Sequence, residues 1–272
     1  MGKKSGHSFE LRAGAFLALL IAAMAIAGIF FPPYDHNAMD SANRFSPPGS
    51  GHIMGTDNFG RDVLSRVMAG AKHTLMVAII TVAGSAASGT VLGMFSGYAG
   101  KAADEIIMRL VDALSSFPGI LLALAMVSVM DNSPGTLIIA LLILFIPGFT
   151  RVMRNGMLQL KDRDFVRSAR IAGFSGTRVI FRHILPNLLY QLLSASVLGL
   201  SNAILAESTM SYLGLGIQPP EPSWGRMLSE SQTFLFNAPW CALAPGIMIM
   251  LTVLSFHFLG EGLKGDAAGG RS

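Results

Sequence analysis

Six apolar runs, each close to the length that crosses a lipid bilayer, constrain this chain more than any other feature. A transmembrane helix needs about 20 predominantly apolar residues. Charged residues are only 13% of the 272 residues, which leaves little polar surface for a soluble domain. The sequence therefore predicts an all-α membrane protein with six transmembrane helices. The runs are residues 13–31, 75–98, 117–130, 136–150, 188–206 and 241–259.

Two of these runs, 117–130 and 136–150, are short for a span. We expect helix from residues 106–116 and 152–160 to extend them at the membrane face. The second span is rich in glycine, alanine and serine, a composition that lets helices approach closely. A charged strip follows it and is expected to be a solvated face; its members are Lys101, Asp104, Glu105, Arg109 and Asp112.

Basic residues predict the orientation of the spans, because Lys and Arg concentrate in cytoplasmic loops. The loop between the fourth and fifth spans is the most basic part of the chain, and the two termini are also basic. Both termini are therefore predicted to be cytoplasmic. A nucleic-acid-binding role for the basic loop is less favoured, because no aromatic platform accompanies it. The basic residues of this loop and of the two termini are Lys3, Lys4, Arg12, Arg151, Arg154, Lys161, Arg163, Arg167, Arg170, Arg178, Arg182, Lys264 and Arg271.

The first apolar run has two interpretations. Basic residues precede it and Ala23-Met24-Ala25 lies within it, as in a cleavable signal peptide. The run continues to Phe31, however, which is nearer the length of a span, and we interpret it as a retained anchor. The predicted organisation is residues 1–72 as anchor span, external loop and interfacial helix, and residues 73–272 as a five-span core with a cytoplasmic loop at 157–187.

Residues 52–72, HIMGTDNFGRDVLSRVMAGAK, predict an interfacial amphipathic helix that leads into the second span. Thr56 or Asp57 is placed to cap its first turn. Acid–base pairs lie four residues apart at Asp57–Arg61 and Asp62–Arg66. A metal site at His52 and Asp57 is the less favoured alternative, because two scattered ligands do not specify a coordination geometry.

Residues 165–187, FVRSARIAGFSGTRVIFRHILPN, predict two short helices joined by a glycine-containing turn. Asp164 and Ser175 are placed as their N-caps. The second helix is predicted to end at Leu185, because Pro186 cannot continue it. An apolar and basic helical pair between membrane spans suits docking against a soluble partner.

This segment resembles the coupling loop of ABC-importer permeases, whose signature is Glu-Ala-Ala, three residues, Gly, nine residues, Ile, one residue and Leu-Pro. Two further phrases, GTDxxGRDxxSR at 55–66 and LGLGxxPPxPSWG at 213–225, are similar to the dipeptide, oligopeptide and nickel branch and its second, DppC/OppC-like permease type. Trp224 in the last phrase is expected at the membrane interface. The loop signature is matched at Ala169, Gly173, Leu185 and Pro186, and replaced by Arg167, Ser168 and His183, with Ile184 following.

The resemblance implies a type I ABC importer permease fold in the bacterial inner membrane. It implies a second permease subunit, two ATP-binding subunits and an extracytoplasmic substrate-binding protein as partners, with the eight residues of the loop signature contacting the ATPases. Peptides, nickel chelates and related small solutes are all compatible cargoes. The chain has no G-x-x-x-x-G-K-[ST] motif, so ATP and Mg²⁺ are expected on the partners and no enzymatic activity, cofactor or metal on this chain.

A self-sufficient secondary transporter or channel is the alternative function. It would require intramembrane carboxylates or inverted repeats. The sequence has one marginal acid, Glu207, which we interpret as a hydrogen-bonded structural residue near the outer interface. A membrane hydrolase would require a Ser/His/Asp or HExxH pattern in the spans, and His257 is interpreted as a packed or hydrogen-bonded histidine rather than a catalyst. The single cysteine, Cys241, forms no internal disulfide and no cysteine cluster.

Overall fold

The computed structural model describes the backbone of residues 2–269 and the side chains of residues 9–264. The described part is helical, and its one β-type contact is an isolated bridge between Thr56 and Asp62. The predicted orientation rests partly on Lys3, Lys4 and Arg271, which lie outside the described side chains. The helices are α1 Gly2–Phe30, α2 Val63–Ala99, α3 Lys101–Ser116, α4 Gly119–Val129, α5 Pro134–Leu160, α6 Asp164–Ile171, α7 Gly176–Val179, α8 Leu185–Tyr212, α9 Trp224–Ser231 and α10 Trp240–Gly269.

Within the part of the chain that the structure describes, five stretches of helix are long and apolar enough to cross a membrane, and α3 with α4 makes a sixth if that bent pair counts as one span. The predicted extension of the fourth span through residues 152–160 is confirmed, because α5 is continuous to Leu160. The predicted extension of the third span is wrong, because α3 and α4 meet at 86°. Pro118 forces Phe117 into an extended conformation, and this breaks the helix.

Close packing of α2 against α5 forms the centre of the bundle. A Cβ atom at Gly93 would overlap the backbone around Thr150, and one at Gly89 would overlap Phe149. The sequence prediction of close helix packing by small residues is therefore confirmed. Because glycine has no side chain, the two helix backbones can approach where a larger residue would separate them.

The first and last helices pack along each other. The Ser255 hydroxyl donates to the Gly14 carbonyl at 3.0 Å, and Leu11 contacts Gly262. The Tyr190 hydroxyl donates to the Leu263 carbonyl at 2.7 Å. The N-terminal end of α1 and the C-terminal end of α10 therefore lie at the same end of the bundle as the basic loop. We call this the basic end, and we call the opposite end, which carries residues 31–62 and 213–239, the loop end.

The charged strip on α3 does more than face solvent. Asp104 accepts hydrogen bonds from the Arg154 guanidinium of α5 at 2.5 Å, and Asp112 pairs with Arg151 at 2.8 Å. The prediction of a solvated face is therefore wrong for Asp104, which is half-buried, and is confirmed for Asp112, which stays exposed although it pairs with Arg151. The pairs attach α3 to the end of α5 and fix the bent α3–α4 unit against the bundle.

Candidate functional site

The turn at Gly173 shapes the segment 164–187 at the basic end. Gly173 has a φ angle of 81°, in the left-handed region that glycine adopts most easily. The Phe174 amide donates to the Ala169 carbonyl at 3.2 Å and the Gly173 amide donates to Arg170 at 3.0 Å. This is a Schellman motif, which satisfies the last carbonyl groups of α6. The turn sets the direction in which the chain enters α7.

The N-caps of the two short helices are partly as predicted. Ser175 is the N-cap residue of α7, although its hydroxyl pairs with Thr177 rather than with a backbone amide. The prediction for Asp164 is wrong, because Arg163 occupies the cap and Asp164 is the first residue of α6. A carboxylate at that position still interacts favourably with the helix dipole.

The second short helix does not end at Leu185, contrary to the sequence prediction. A π-helical turn, Ile180–Ile184, joins α7 to α8, and Pro186 lies in the first turn of α8. The Leu185 amide donates to the Ile180 carbonyl, five residues back. This wider turn removes the clash that a proline ring makes with the preceding α-helical turn. Helix therefore continues from Gly176 to Tyr212.

The structure divides the eight predicted coupling residues by their exposure. Two of them, Ala169 and Ile184, are buried inside this chain, so Ile184 cannot fill a groove on another protein. His183 and Leu185 are half-buried. The remaining four, Arg167, Ser168, Gly173 and Pro186, are exposed.

The buried residues of the segment pack against the spans. Ile184 is 0% exposed and shares a cluster with Val166 and Val179. We call this the inner cluster, and it joins the segment to the ends of three spans. Its other buried members are Met94 of α2, Met153 and Met157 of α5, Ala169 of α6 and Leu188 of α8.

The outward side of the segment carries apolar residues that this chain does not cover. Ile171 is 88% exposed and Phe181 is 65% exposed. The sequence prediction missed both residues. In α6 the buried Val166 and Ala169 lie on one side, and Ile171 lies on the opposite side of the helix. Helical periodicity could therefore have predicted that Ile171 is exposed. Exposed arginines surround these residues, at positions Arg167, Arg170, Arg178 and Arg182.

The 52–72 region at the loop end differs from its prediction. Helix α2 begins at Val63, and Asp62 is the N-cap, with its carboxylate accepting from the Ser65 amide at 2.8 Å. Thr56 and Asp57 therefore cap no helix, although the Asp57 carboxylate accepts from the Phe59 and Arg61 amides of the turn before α2, and no separate interfacial helix forms. His52 pairs with Asp62 at 2.9 Å rather than with Asp57, and no group of three candidate metal ligands occurs among the described residues.

A buried ion-pair network occupies this position instead. Asp57 and Arg61 pair at 2.7 Å as predicted, but both are buried. Arg66 does not pair with Asp62. Its guanidinium contacts Glu230 at 3.2 Å and Asp57 at 3.6 Å, and Arg61 reaches Glu230 at 3.3 Å. Each buried charge therefore has opposite charges around it, which offsets the cost of its desolvation.

The second sequence phrase, 213–225, packs on α2 directly after the first phrase, 55–66. Trp224 is fully buried, and its indole nitrogen donates to the Val67 carbonyl at 2.9 Å. Its predicted position at the membrane interface is therefore wrong. The Trp240 indole donates to the Thr56 carbonyl at 3.0 Å. These contacts join residues more than 150 positions apart, so local sequence patterns could not reveal them.

The predictions for two polar residues of the spans differ in their outcome. Glu207 is fully buried and accepts from the Ser211 hydroxyl at 2.6 Å and the Ser208 hydroxyl at 3.4 Å. The prediction of a hydrogen-bonded structural acid is confirmed. His257 is exposed on α10, so its predicted packed environment is wrong.

A bundle of five or six spans with a helical pair at one end is the fold of a type I ABC importer permease. One chain in a crystal structure of the MetNI methionine ABC transporter, in inward-facing conformations, matches with a TM-score of 0.60 and 18% sequence identity. The match covers 70% of this chain and 91% of that chain. At that identity the likeness establishes the fold.

The chain belongs to the family described as the binding-protein-dependent transport system inner membrane component, which matches residues 89–264. It is similar to a dipeptide transport system permease protein DppC of Alkalihalophilus pseudofirmus, with 39% identity over 90% of this chain and 82% of that protein. It is also similar to a glutathione transport system permease protein GsiD of Pectobacterium atrosepticum, with 40% identity over 93% of this chain and 84% of that protein. A dipeptide transport system permease protein DppC of Haemophilus influenzae is 36% identical over 92% of this chain and 87% of that protein.

These likenesses confirm the predicted resemblance and the predicted fold class. The chain is a multi-pass inner-membrane protein and the permease component of an ABC importer. The family excludes the alternative of a self-sufficient secondary transporter or channel. As a transport permease component, the chain is also not the membrane hydrolase that was considered from its sequence.

Proposed function

We propose that this chain forms half of the translocation path of a peptide importer and that it transmits work from two ATP-binding subunits through the segment 164–187. The names of its relatives, dipeptide and glutathione permeases, favour peptides over nickel chelates as the cargo. A second permease subunit completes the path, and an extracytoplasmic binding protein delivers the cargo. The basic end and both termini face the cytoplasm, where ATP and Mg²⁺ bind to the ATPases.

The division of the segment into an inner and an outer side carries this proposal. The inner cluster fixes the segment to α2, α5 and α8, so a force applied to the segment is transmitted to the spans. The outer side presents Ile171 and Phe181 among arginines. An uncovered apolar residue with a basic border fits a groove on a soluble partner.

The eight residues of the predicted coupling set have distinct roles in this proposal. Arg167, Ser168, Gly173 and Pro186 lie on the surface that an ATP-binding subunit covers. His183 and Leu185 lie at its border, and Phe174 stacks on the His183 ring at a centroid distance of 5.7 Å. Ala169 and Ile184 hold the segment on the spans.

Movement follows from this arrangement. ATP binding closes the two ATPases, and each closure shifts the docked segment. Because α7 continues through the π-helical turn into α8, no flexible linker absorbs the shift. The spans then change from an inward-open to an outward-open arrangement, and the path accepts cargo from the binding protein.

The test is a substitution on the outer side in the complete reconstituted complex. Replacing Ile171 by Ser removes an apolar contact with the ATPases worth about 1.5–3 kcal/mol, which corresponds to roughly 10- to 150-fold weaker binding. The matched control is Ile53→Ser at the loop end, where Ile53 is 69% exposed. Binding of the ATP-binding subunits to the permease pair and ATP-driven peptide uptake are measured for both variants.

We expect Ile171→Ser to lose ATPase binding and uptake together, and Ile53→Ser to retain ATPase binding. An Ile171→Ser complex that binds its ATPases and imports peptide as well as the unaltered complex would refute this coupling role.

A further inference from the structure

Helix α8 exposes a polar stripe along its membrane span. Positions separated alternately by four and three residues lie on one side of a helix. On α8 this side carries polar groups at four levels, and the side chains of Gln191, Asn202 and Tyr212 are exposed. We call it the α8 stripe, and its members are Gln191, Ala195, Leu198, Asn202, Leu205, Thr209 and Tyr212.

Asn202 lies near the middle of the membrane. It is ten residues from Tyr212, where α8 ends, and at 1.5 Å per residue this places it about 15 Å from the loop end of the helix. The hydrocarbon core of a bilayer is about 30 Å thick. The Asn202 carboxamide therefore lies at about the depth where exposure to lipid costs most.

Other exposed faces of the long spans are apolar at this depth. Exposed polar side chains at Asn155, Gln159 and His257 lie nearer the basic end. In their central parts the exposed large side chains are Phe16, Leu19, Leu20 and Ile26 of α1, Met76, Ile79 and Ile80 of α2, and Leu243, Ile247 and Met250 of α10. These faces suit lipid, and the α8 stripe does not.

The cost of an unpaired amide decides what the stripe contacts. Among the described residues, no hydrogen bond reaches the Asn202 carboxamide. Transfer of such a group from water to hydrocarbon is strongly unfavourable when nothing replaces its hydrogen bonds to water. Asn202 must therefore meet water or another polar group when the protein is in a membrane.

The length of the stripe favours water over a dry helix contact. A dry contact at Asn202 alone would not require polar side chains at other depths of the same stripe. The stripe spans about 31 Å, close to the full thickness of the hydrocarbon core. Its polar side chains are Gln191, Asn202, Thr209 and Tyr212, and Ala195, Leu198 and Leu205 lie between them. Polar groups at successive depths are what a water-filled path requires.

We propose that the α8 stripe lines the aqueous path and that Asn202 hydrogen bonds with the backbone of the passing peptide. This inference rests on the proposed function. A carboxamide both donates and accepts hydrogen bonds, as a peptide group does. It therefore recognises the part common to all peptides, whatever their side chains, and its neutrality avoids trapping a charged cargo at the midplane.

Cysteine labelling in the complete reconstituted complex tests the path. The single cysteine is first removed as Cys241→Ser, where a serine hydroxyl can replace the thiol that donates to Thr56. Asn202→Cys is compared with Leu193→Cys, a position on the opposite side of α8 that is 58% exposed. The probe is a charged, membrane-impermeant methanethiosulfonate, added with and without a dipeptide and ATP.

We expect Asn202→Cys to react at least about tenfold faster than Leu193→Cys, because a thiol in hydrocarbon forms little reactive thiolate. The dipeptide is expected to slow the reaction at Asn202 and not at Leu193. Labelling no faster than at Leu193 would overturn the inference, since lipid or a dry contact would then cover the stripe. If that same complex still imported peptide, the proposed function would stand without it.

A second variant tests the recognition of peptide by Asn202. Asn202→Leu is expected to raise the KM for dipeptide uptake, and Asn202→Gln to restore it in part, with ATPase binding unchanged in both. An unchanged KM in Asn202→Leu would overturn the role in peptide binding.

Discussion

Ile184→Ala tests whether the inner cluster holds the segment 164–187 on the spans. Ile184 is fully buried beside Val166, Ala169 and Val179. Removing buried methyl and methylene groups costs their transfer free energy and leaves a cavity, for a total of about 2–5 kcal/mol for Ile→Ala. This free energy should appear as easier local opening of the segment.

Amide hydrogen exchange measures that opening, because the exchange rate follows the population of the open state. A change of about 2–5 kcal/mol predicts exchange in residues 164–185 that is roughly 30-fold to several thousand-fold faster. The matched control is Ile184→Val, which loses one methylene and should cost about 0.5–1.5 kcal/mol. ATP hydrolysis should continue in Ile184→Ala while peptide uptake falls, because a loosened segment no longer moves the spans.

The outcome that refutes this reasoning is specific. If exchange in residues 164–185 were unchanged in Ile184→Ala, the inner cluster would not hold the segment. If exchange rose while coupled uptake remained normal, rigid attachment would not be needed for coupling.

Three further substitutions follow from the structure. Gly173→Ala should destabilise the turn after α6 by about 1–2 kcal/mol, because alanine is strained at a positive φ; faster exchange confined to the segment would support this. Glu230→Ala should cost up to about 3 kcal/mol and lower the Tm, because the buried Arg61 and Arg66 lose a half-buried partner and keep only Asp57; an unchanged Tm would contradict the network. Gly93→Leu should prevent the close approach of α2 and α5, giving little folded protein by size-exclusion chromatography.

The spans and the 165–187 pair were predictable because their signals are local. Apolar runs, glycine turns and caps depend on neighbouring residues. Pro186 shows where this reasoning fails, because a π-helical turn accommodates a proline that would otherwise end the helix. Proline chemistry alone does not distinguish these outcomes.

The loop-end network was not predictable for a different reason. The spacing of Asp62 and Arg66 suggested a helical ion pair, but Arg66 binds Glu230, which is 164 residues away. Partner choice among buried charges depends on the tertiary fold, which brings α9 against the start of α2. Ile171 is an intermediate case, because helical periodicity placed it opposite the buried side of α6 once that side was known.

The uninterrupted helix from Gly176 to Tyr212 has a mechanical consequence. Its 37 residues form a rod about 55 Å long that extends from the basic end to the loop end. A tilt at the basic end therefore displaces the far tip directly, without a relay of side-chain rearrangements. Helix α9 packs at that tip, where a Cβ atom at Gly225 would overlap Ser208. If ATP-binding subunits dock at the basic end as proposed, the loop end would register their nucleotide state through a single rigid body.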